Sequence, residues 1–396
     1  MHAILVDSME SSGRGIQDLI RYYHEKMDNF ILICLEKGNS FNSELQTVPV
    51  TFLTKGTGKF EIGKLISLPL LAKKLKDLIA SENIEWIQSH LQLANYVNIL
   101  AKLMGANHFV QIVNTNYMSG YSYKGLLGRL HLWLIQFLYQ HADMIVLKNK
   151  AMQKDVSQWL ECRMPQKIIP NFFDIDDIDK QCDGSTDAMI FGFNENKIYI
   201  TAMGHLEAVN NFDVLIQAFE KTCASVPQAE LMIIGSGPEL KSLIRLSKKC
   251  NVYERVSYVQ ADQIPYYYLK QSHIFVLSSS FHSFPDAIVE AMICELPVIS
   301  SDCPGGPREI LAPDTKPDQQ LELGVEYAQY GVLVPVRDVD ALSEAMTRLC
   351  LDLNRQYRYT KNSRLRAMDF HKDLILRHYE GLFHYKKEIQ YDILRD

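Results

Sequence analysis

Short apolar runs alternate with longer amphipathic ones along the chain. "HAILVDS" is strand-like, "RGIQDLIRYYHEKM" repeats its apolar positions at helical spacing, and "FILICLEKG" is strand-like again. Brief apolar runs predict buried strands, and recurrence every three to four residues predicts helices. "KLISLPLLAKKLKDLIASEN" begins as a Pro-interrupted apolar run and continues as a helix. Then come strand "IEWIQSHL", helix "QLANYVNILAKLMG", strand "HFVQIVNT", a long helix over 124–141 and strand "ADMIVLKN". The tract 167–187 is dense in Asp and turn residues and reads as a connector.

After it the pattern restarts. Strands are predicted at "KIYITAMG", "AELMIIGSGPE", "RVSYVQA", "HIFVLSS", "LPVISSD" and "GVLVPVRD". Helices are predicted over 211–224, 238–250, 263–271, 285–294, 307–312 and 338–352. The tract 313–330 reads as irregular, and 354–391 as charged and helical. Strands separated by helices imply parallel sheets covered on both faces, an α/β class. A chain of 396 residues exceeds one ordinary core. The boundaries expected are 1–170, 171–370 and a C-terminal helix over 371–396 that crosses back to the first domain.

Ligands of such sheets bind beyond the carboxyl ends of the strands. The loops expected there are 8–15, 89–92, 114–120, 203–211, 235–239, 278–284 and 301–307, lining one crevice. A loop entering a helix at Ser283, Phe284, Pro285 and Asp286 offers free N–H groups to an anion. Pro285 fits a first helical turn. Glu290 follows on the same helix, either as a ligand contact or as an exposed helix residue. Gly235, Gly237, Gly305 and Gly306 either admit a ligand to the backbone or simply turn the chain.

Composition narrows the classes. The formal net charge of -6 and the lack of a basic–aromatic motif argue against nucleic acid. The eight cysteines form no C-x-x-C pair and suggest neither a disulfide framework nor a zinc site. The N-terminus lacks a basic start and reads as a strand rather than a signal peptide. "GLLGRLHLWLIQFLYQHA" is the most apolar segment, but Arg129, His131 and Gln136 interrupt it. It reads as a core-facing helix, with a membrane-surface helix as the alternative.

Four segments, in order, carry a resemblance: "MGHLEAVNNFDVLIQAF", "MIIGSGPE", "SSSFHSFPDAIVEAMICELPVISSDCPGGPREIL" and "YGVLVPVRDVDAL". They resemble the retaining GT-B glycosyltransferases of family 4 (group 1), in the branch that builds surface and lipid-linked glycans. The first half matches more loosely, through "SHLQLANYVNILAKLMG", "ADMIV" and "IIPNFFD". The resemblance implies two doubly wound Rossmann-like domains facing a cleft. It implies a UDP- or GDP-linked sugar as substrate, no metal or other cofactor, and a glycan or polyprenol-linked acceptor. The donor contacts implied are Gly204, Asn210, Gly235, Gly237, Ser283, Phe284, Pro285, Asp286, Gly305 and Gly306, with Glu290 on the ribose. Ser12, Gly13, Arg14, Gly15 and His90 fall on the acceptor side. A cytoplasmic location follows, peripheral at the inner face of a membrane. The helix bearing Lys64, Lys73, Lys74 and Lys76 is a candidate contact there.

The sequence also departs from the family's pattern. His282 stands where the family has Glu. His205 and Asn210 replace the Arg and Lys that hold the donor diphosphate. Asn114, Thr115 and Asn116 replace a His facing the reacting sugar. Removing one donor from such a site costs about 2.7–4 kcal/mol, so losing two cations would cost transition-state stabilisation heavily. Candidate replacements are Arg14, Arg308, the helix start at 283–286, and protonated His205 or His282. Three hypotheses stand: a retaining, metal-independent glycosyltransferase using His205, His282, Asn114 and Asn116; a binding or scaffold partner of an active transferase; and another GT-B chemistry such as epimerisation.

Overall fold

The computed structural model describes residues 1–10, 13–38, 45, 47–55, 61–122, 125–161, 164–183, 192–260 and 265–393. The chain forms two compact units, Met1–Pro170 with Leu376–Asp396, and Asn171–Ile375.

The first unit holds β1 (His2–Val6), β2 (Phe30–Glu36), β3 (Val50–Thr54), β4 (Trp86–His90), β5 (Phe109–Val113), β6 (Met144–Leu147) and β7 (Gln166–Ile168). Among the described residues they make one parallel sheet in the order β3-β2-β1-β4-β5-β6-β7. The order reverses between β1 and β4, a topological switch point of the Rossmann kind. Four of the five residues of β1 are buried, which explains its continuous apolar run, and all of β4 is buried although Gln88, Ser89 and His90 are polar. Trp86 is fully buried, stacks on Phe109 at 4.5 Å and meets Phe383 of the helix Lys372–Ile393 at 4.9 Å.

The second unit holds β8 (Ile198–Met203), β9 (Ala229–Ile234), β10 (Val256–Val259), β11 (Ile274–Leu277), β12 (Val298–Ser301), β13 (Glu326–Tyr327) and β14 (Val332–Val334). The order is β10-β9-β8-β11-β12-β14-β13, with only the short edge strand β13 antiparallel. Alternate residues serve two cores. Ile200, Ile233 and Ile299 pack with Phe219 and Leu349 on one face, while Phe275 and Val298 pack with Ile288 and Ile293 on the other.

Several expectations change. β3 was not expected, and the helix Lys150–Trp159 follows β6. The supposed connector 167–187 carries part of β7 and the helix Ile175–Asp183, which buries Ile175, Ile178 and Cys182. The irregular tract 313–330 contains β13. The long helix is Gly125–Leu138, closed by a 3-10 turn at Tyr139–His141. The C-terminal tract breaks at Met368–Phe370 into helices Leu353–Ala367 and Lys372–Ile393. Among the described residues no helix is long and apolar enough to cross a membrane.

Candidate active site

In the second unit, four loops leave the carboxyl ends of the neighbouring strands β9, β8, β11 and β12. Backbone packing joins them. Gly305 has φ +127°, and a Cβ there would lie 1.6 Å from the His282 carbonyl oxygen. Gly235 has φ +147°, and its Cβ would lie 2.0 Å from the Gly204 carbonyl oxygen. At Gly237 the obstruction is the Leu206 backbone, 2.5 Å away. These glycines therefore let one loop pass against the next. The close approach expected for a ligand is made by protein backbone. His282 and Gly305 form an isolated bridge, with the His282 N–H donating to the Pro304 carbonyl at 3.3 Å.

The loop after β8 is closed by its own amides. Asn210 Nδ2 donates to the His205 carbonyl at 2.6 Å, and Asn210 Oδ1 accepts from Ser279 Oγ at 2.9 Å. Expected as a donor contact where the family has a cation, Asn210 is here a clasp to the loop after β11. Asn211 is buried with φ 47° and donates to the Ser278 carbonyl (3.1 Å) and to Ser280 Oγ (2.6 Å). Its Oδ1 accepts from Arg337 at 2.8 Å. Sequence reasoning missed Arg337, which lies far along the chain from the loop it holds. His205 is exposed, with Nε2 3.4 Å from Glu207 Oε1.

On the loop after β11, Ser283 is half-buried, and Phe284 turns inward, 8% exposed, edge-on to Phe370 at 5.8 Å. Its ring belongs to the core and is not offered to a ligand. Pro285 precedes the helix rather than starting it, since the helix runs Asp286–Ile293. Asp286 accepts from Asn171 Nδ2 at 2.8 Å. Glu290 lies in the second turn, and Tyr266 Oη donates to its Oε1 at 2.9 Å. Tyr266, in "PYYYLK", gave no signal in the sequence. Burial pushes the pKa of half-buried His282 below its ordinary value, so without a ligand it is held neutral rather than cationic.

The helix Pro307–Leu311 begins after Gly306. Its Arg308 was expected as a replacement cation. It is 4% exposed, and its Nε donates to Asp302 at 3.1 and 3.0 Å. Its Nη2 reaches Glu326 at 2.8 Å. Burial opposes the guanidinium charge, but the bonds to Asp302 and Glu326 outweigh it. Arg308 is therefore committed to fixing the tract that leads to β13.

The acceptor-side candidates lie in the first unit, at the carboxyl end of its own sheet. Ser12 lies outside the described residues. Gly13 caps the helix Arg14–Lys26, and a Cβ at Gly13 or Gly15 would meet nothing within 4 Å. Nothing in the fold requires glycine there. Arg14 is exposed at the helix start. His90 ends β4, 3% exposed, with Nε2 2.6 Å from Gln88 Nε2. Gln88 in turn accepts from Tyr23 (3.1 Å) and Gln111 (3.0 Å). Burial, and then the nearby Lys148, pushes the His90 pKa down to about 3. His90 is thus a neutral member of a buried polar network rather than an accessible site residue. Lys148 itself donates to Tyr379 at 3.1 Å. Buried Asn114 donates to the Asn116 carbonyl at 2.7 Å, and exposed Asn116 lies 3.5 Å from Tyr121 Oη.

Residues 185–366 match the family "Glycosyl transferases group 1". An uncharacterized glycosyltransferase of Methanocaldococcus jannaschii is 25% identical over 303 residues, 72% of this chain and 74% of that protein. The N-acetylgalactosamine-N,N'-diacetylbacillosaminyl-diphospho-undecaprenol 4-alpha-N-acetylgalactosaminyltransferase of Campylobacter jejuni is 25% identical over 318 residues, 79% of this chain and 80% of that protein. Among solved structures, Anabaena HepE in complex with UDP and glucose superposes with a TM-score of 0.74 at 19% identity, covering 97% of this chain and 100% of that one. The architecture is the GT-B fold.

Proposed function

We propose that the protein transfers a sugar from a UDP- or GDP-linked donor to a glycan or lipid-linked acceptor, with retention and without a metal or other cofactor. The second unit binds the donor. One observation carries the reading: Glu290, oriented by Tyr266, lies on a helix that starts among four loops at the carboxyl ends of adjacent strands. That is where open α/β sheets hold nucleotides, and the N-terminus of Asp286–Ile293 is suited to an anion. The Campylobacter relative's name describes sugar transfer to a diphospho-undecaprenol acceptor, which supports a lipid-linked acceptor here.

In this reading Glu290 accepts from the donor ribose, and backbone N–H groups near 283–286 and 304–306 meet the diphosphate. No Arg or Lys occurs in 204–211, 235–239, 278–290 or 302–307. Within these loops His282 and His205 are the side chains able to carry positive charge, beside the helix start at 283–286. A diphosphate beside His282 favours its protonated form against the burial that now disfavours it. Donor binding should therefore take up a proton. A donor panel with released UDP or GDP as readout tests the assignment, and calorimetry in buffers of different ionisation enthalpy tests the proton uptake. A turnover with inverted anomeric configuration would refute retention.

The missing cations and the commitment of Arg308 to Asp302 and Glu326 favour a second reading, a donor-binding partner without turnover of its own. Nucleotide binding with no released product for any donor and acceptor pair would select it.

A further inference from the structure

The helix Gly125–Leu138 is apolar on both sides. Its inner side buries Gly128, Leu132, Ile135 and Leu138. His131 is half-buried on it, 3.1 Å from the hydroxyl of Tyr96 in the helix Gln92–Leu103. Its outer side exposes Leu126 (85%), Leu130 (42%), Trp133 (58%) and Phe137 (48%). These recur at intervals of four, three and four residues and so form one stripe. Trp133 and Phe137 stack with ring planes 5° apart. A contiguous exposed apolar stripe marks an interaction surface.

The charge carried by the helix itself points to the partner. The chain has 47 acidic residues and a net charge of -6, yet residues 86–142 contain no Asp or Glu. Arg129 is exposed on the outer side of the helix. An apolar stripe with aromatic rings, a cation and no acid complements an anionic lipid surface. At 14 residues the helix is too short to cross a bilayer, so a contact with lipid would be made along its side.

The helix Leu68–Glu82, expected as the membrane contact, fits less well. Lys74 donates to the Leu53 carbonyl (2.8 Å) and Lys76 to the Met104 carbonyl (2.7 Å), while Asp77 and Glu82 are exposed on the same helix. The side chain of Lys64 lies outside the described residues.

We propose that the outer face of the helix Gly125–Leu138 docks the protein on an anionic bilayer, with Leu126, Leu130, Trp133 and Phe137 entering the headgroup boundary and Arg129 meeting lipid phosphates. This surface binds without donor or acceptor, so its test is independent of the proposed transfer.

The test is flotation of the full chain with vesicles of phosphatidylcholine alone or mixed with phosphatidylglycerol. Wild type should float with the mixed vesicles. Trp133→Asp combined with Phe137→Asp should lower partitioning more than tenfold, with circular dichroism and melting unchanged. Arg129→Glu should lower it at least about fivefold on mixed vesicles only. Tryptophan emission should shift to the blue on vesicles, and Trp133→Phe should remove the shift while preserving flotation. Failure of wild type to float would overturn the proposal, as would flotation of the double variant at the wild-type level. A dimer dispersed by the double variant, with no flotation, would instead assign the stripe to a second copy of the chain.

Discussion

The two sheets are built alike, but their carboxyl edges are finished differently. In the second unit the loops are locked backbone to backbone, with Gly235, Gly237 and Gly305 at positions no side chain fits. In the first unit side chains finish the edge. His90 ends β4 and ties back into the buried network of Gln88, Gln111 and Tyr23, and Gly13 and Gly15 have open space around them. Backbone locking demands particular residues at particular positions, so it leaves a readable motif. A polar network can be assembled from many residue sets, so it leaves none. The family match at 185–366 lies within the second unit.

That contrast can be broken by mutation, starting with the largest effect. Arg308→Met should destabilise the second unit by about 3–5 kcal/mol in urea unfolding, because Asp302 is left buried without its partner. Gly305→Ala should cost about 3 kcal/mol or more, through left-handed backbone and the clash with the His282 carbonyl. Gly13→Ala is its counterpart in the first unit and should cost at most about 1 kcal/mol, the usual preference for Gly over Ala at an N-cap. Equal losses at the two glycines would erase the distinction.

His90 gives the first unit a pH signature. Its folded pKa of about 3 lies below the unfolded value, so its contribution is complete above the unfolded value and lost as pH falls through it. Lowering pH from 7 to 5 should cost about 2 kcal/mol from this group, and His90→Gln should flatten that slope. An unchanged slope would place His90 in a more solvated setting. The smallest effect is expected at Tyr266→Phe. Loss of one hydrogen bond should cost about 1 kcal/mol of stability and raise the donor KM several-fold, with little change in kcat.

Many strands of both units were legible because buried parallel strands read as apolar runs, as in β1, β6 and β11. β3 was not, since only one of its five residues is buried. The helix Ile175–Asp183 hid behind its aspartates, although Ile175, Ile178 and Cys182 recur at helical spacing. The candidate loops of the second unit could be located from strand ends and glycines. What the glycines face, and where Phe284, Asn210 and Arg308 point, depends on loops far apart in sequence. The outer stripe of Gly125–Leu138 could not be told from a core-facing one, because periodicity reveals a face but not what covers it.

The most direct test of the account is titration of the whole protein with UDP, GDP and their sugars between pH 5.5 and 8. The account predicts saturable binding of one nucleotide family, stronger toward low pH with proton uptake, and weakened at least about tenfold by Glu290→Ala. No binding of any of them across that range, or equal binding by Glu290→Ala, would contradict it.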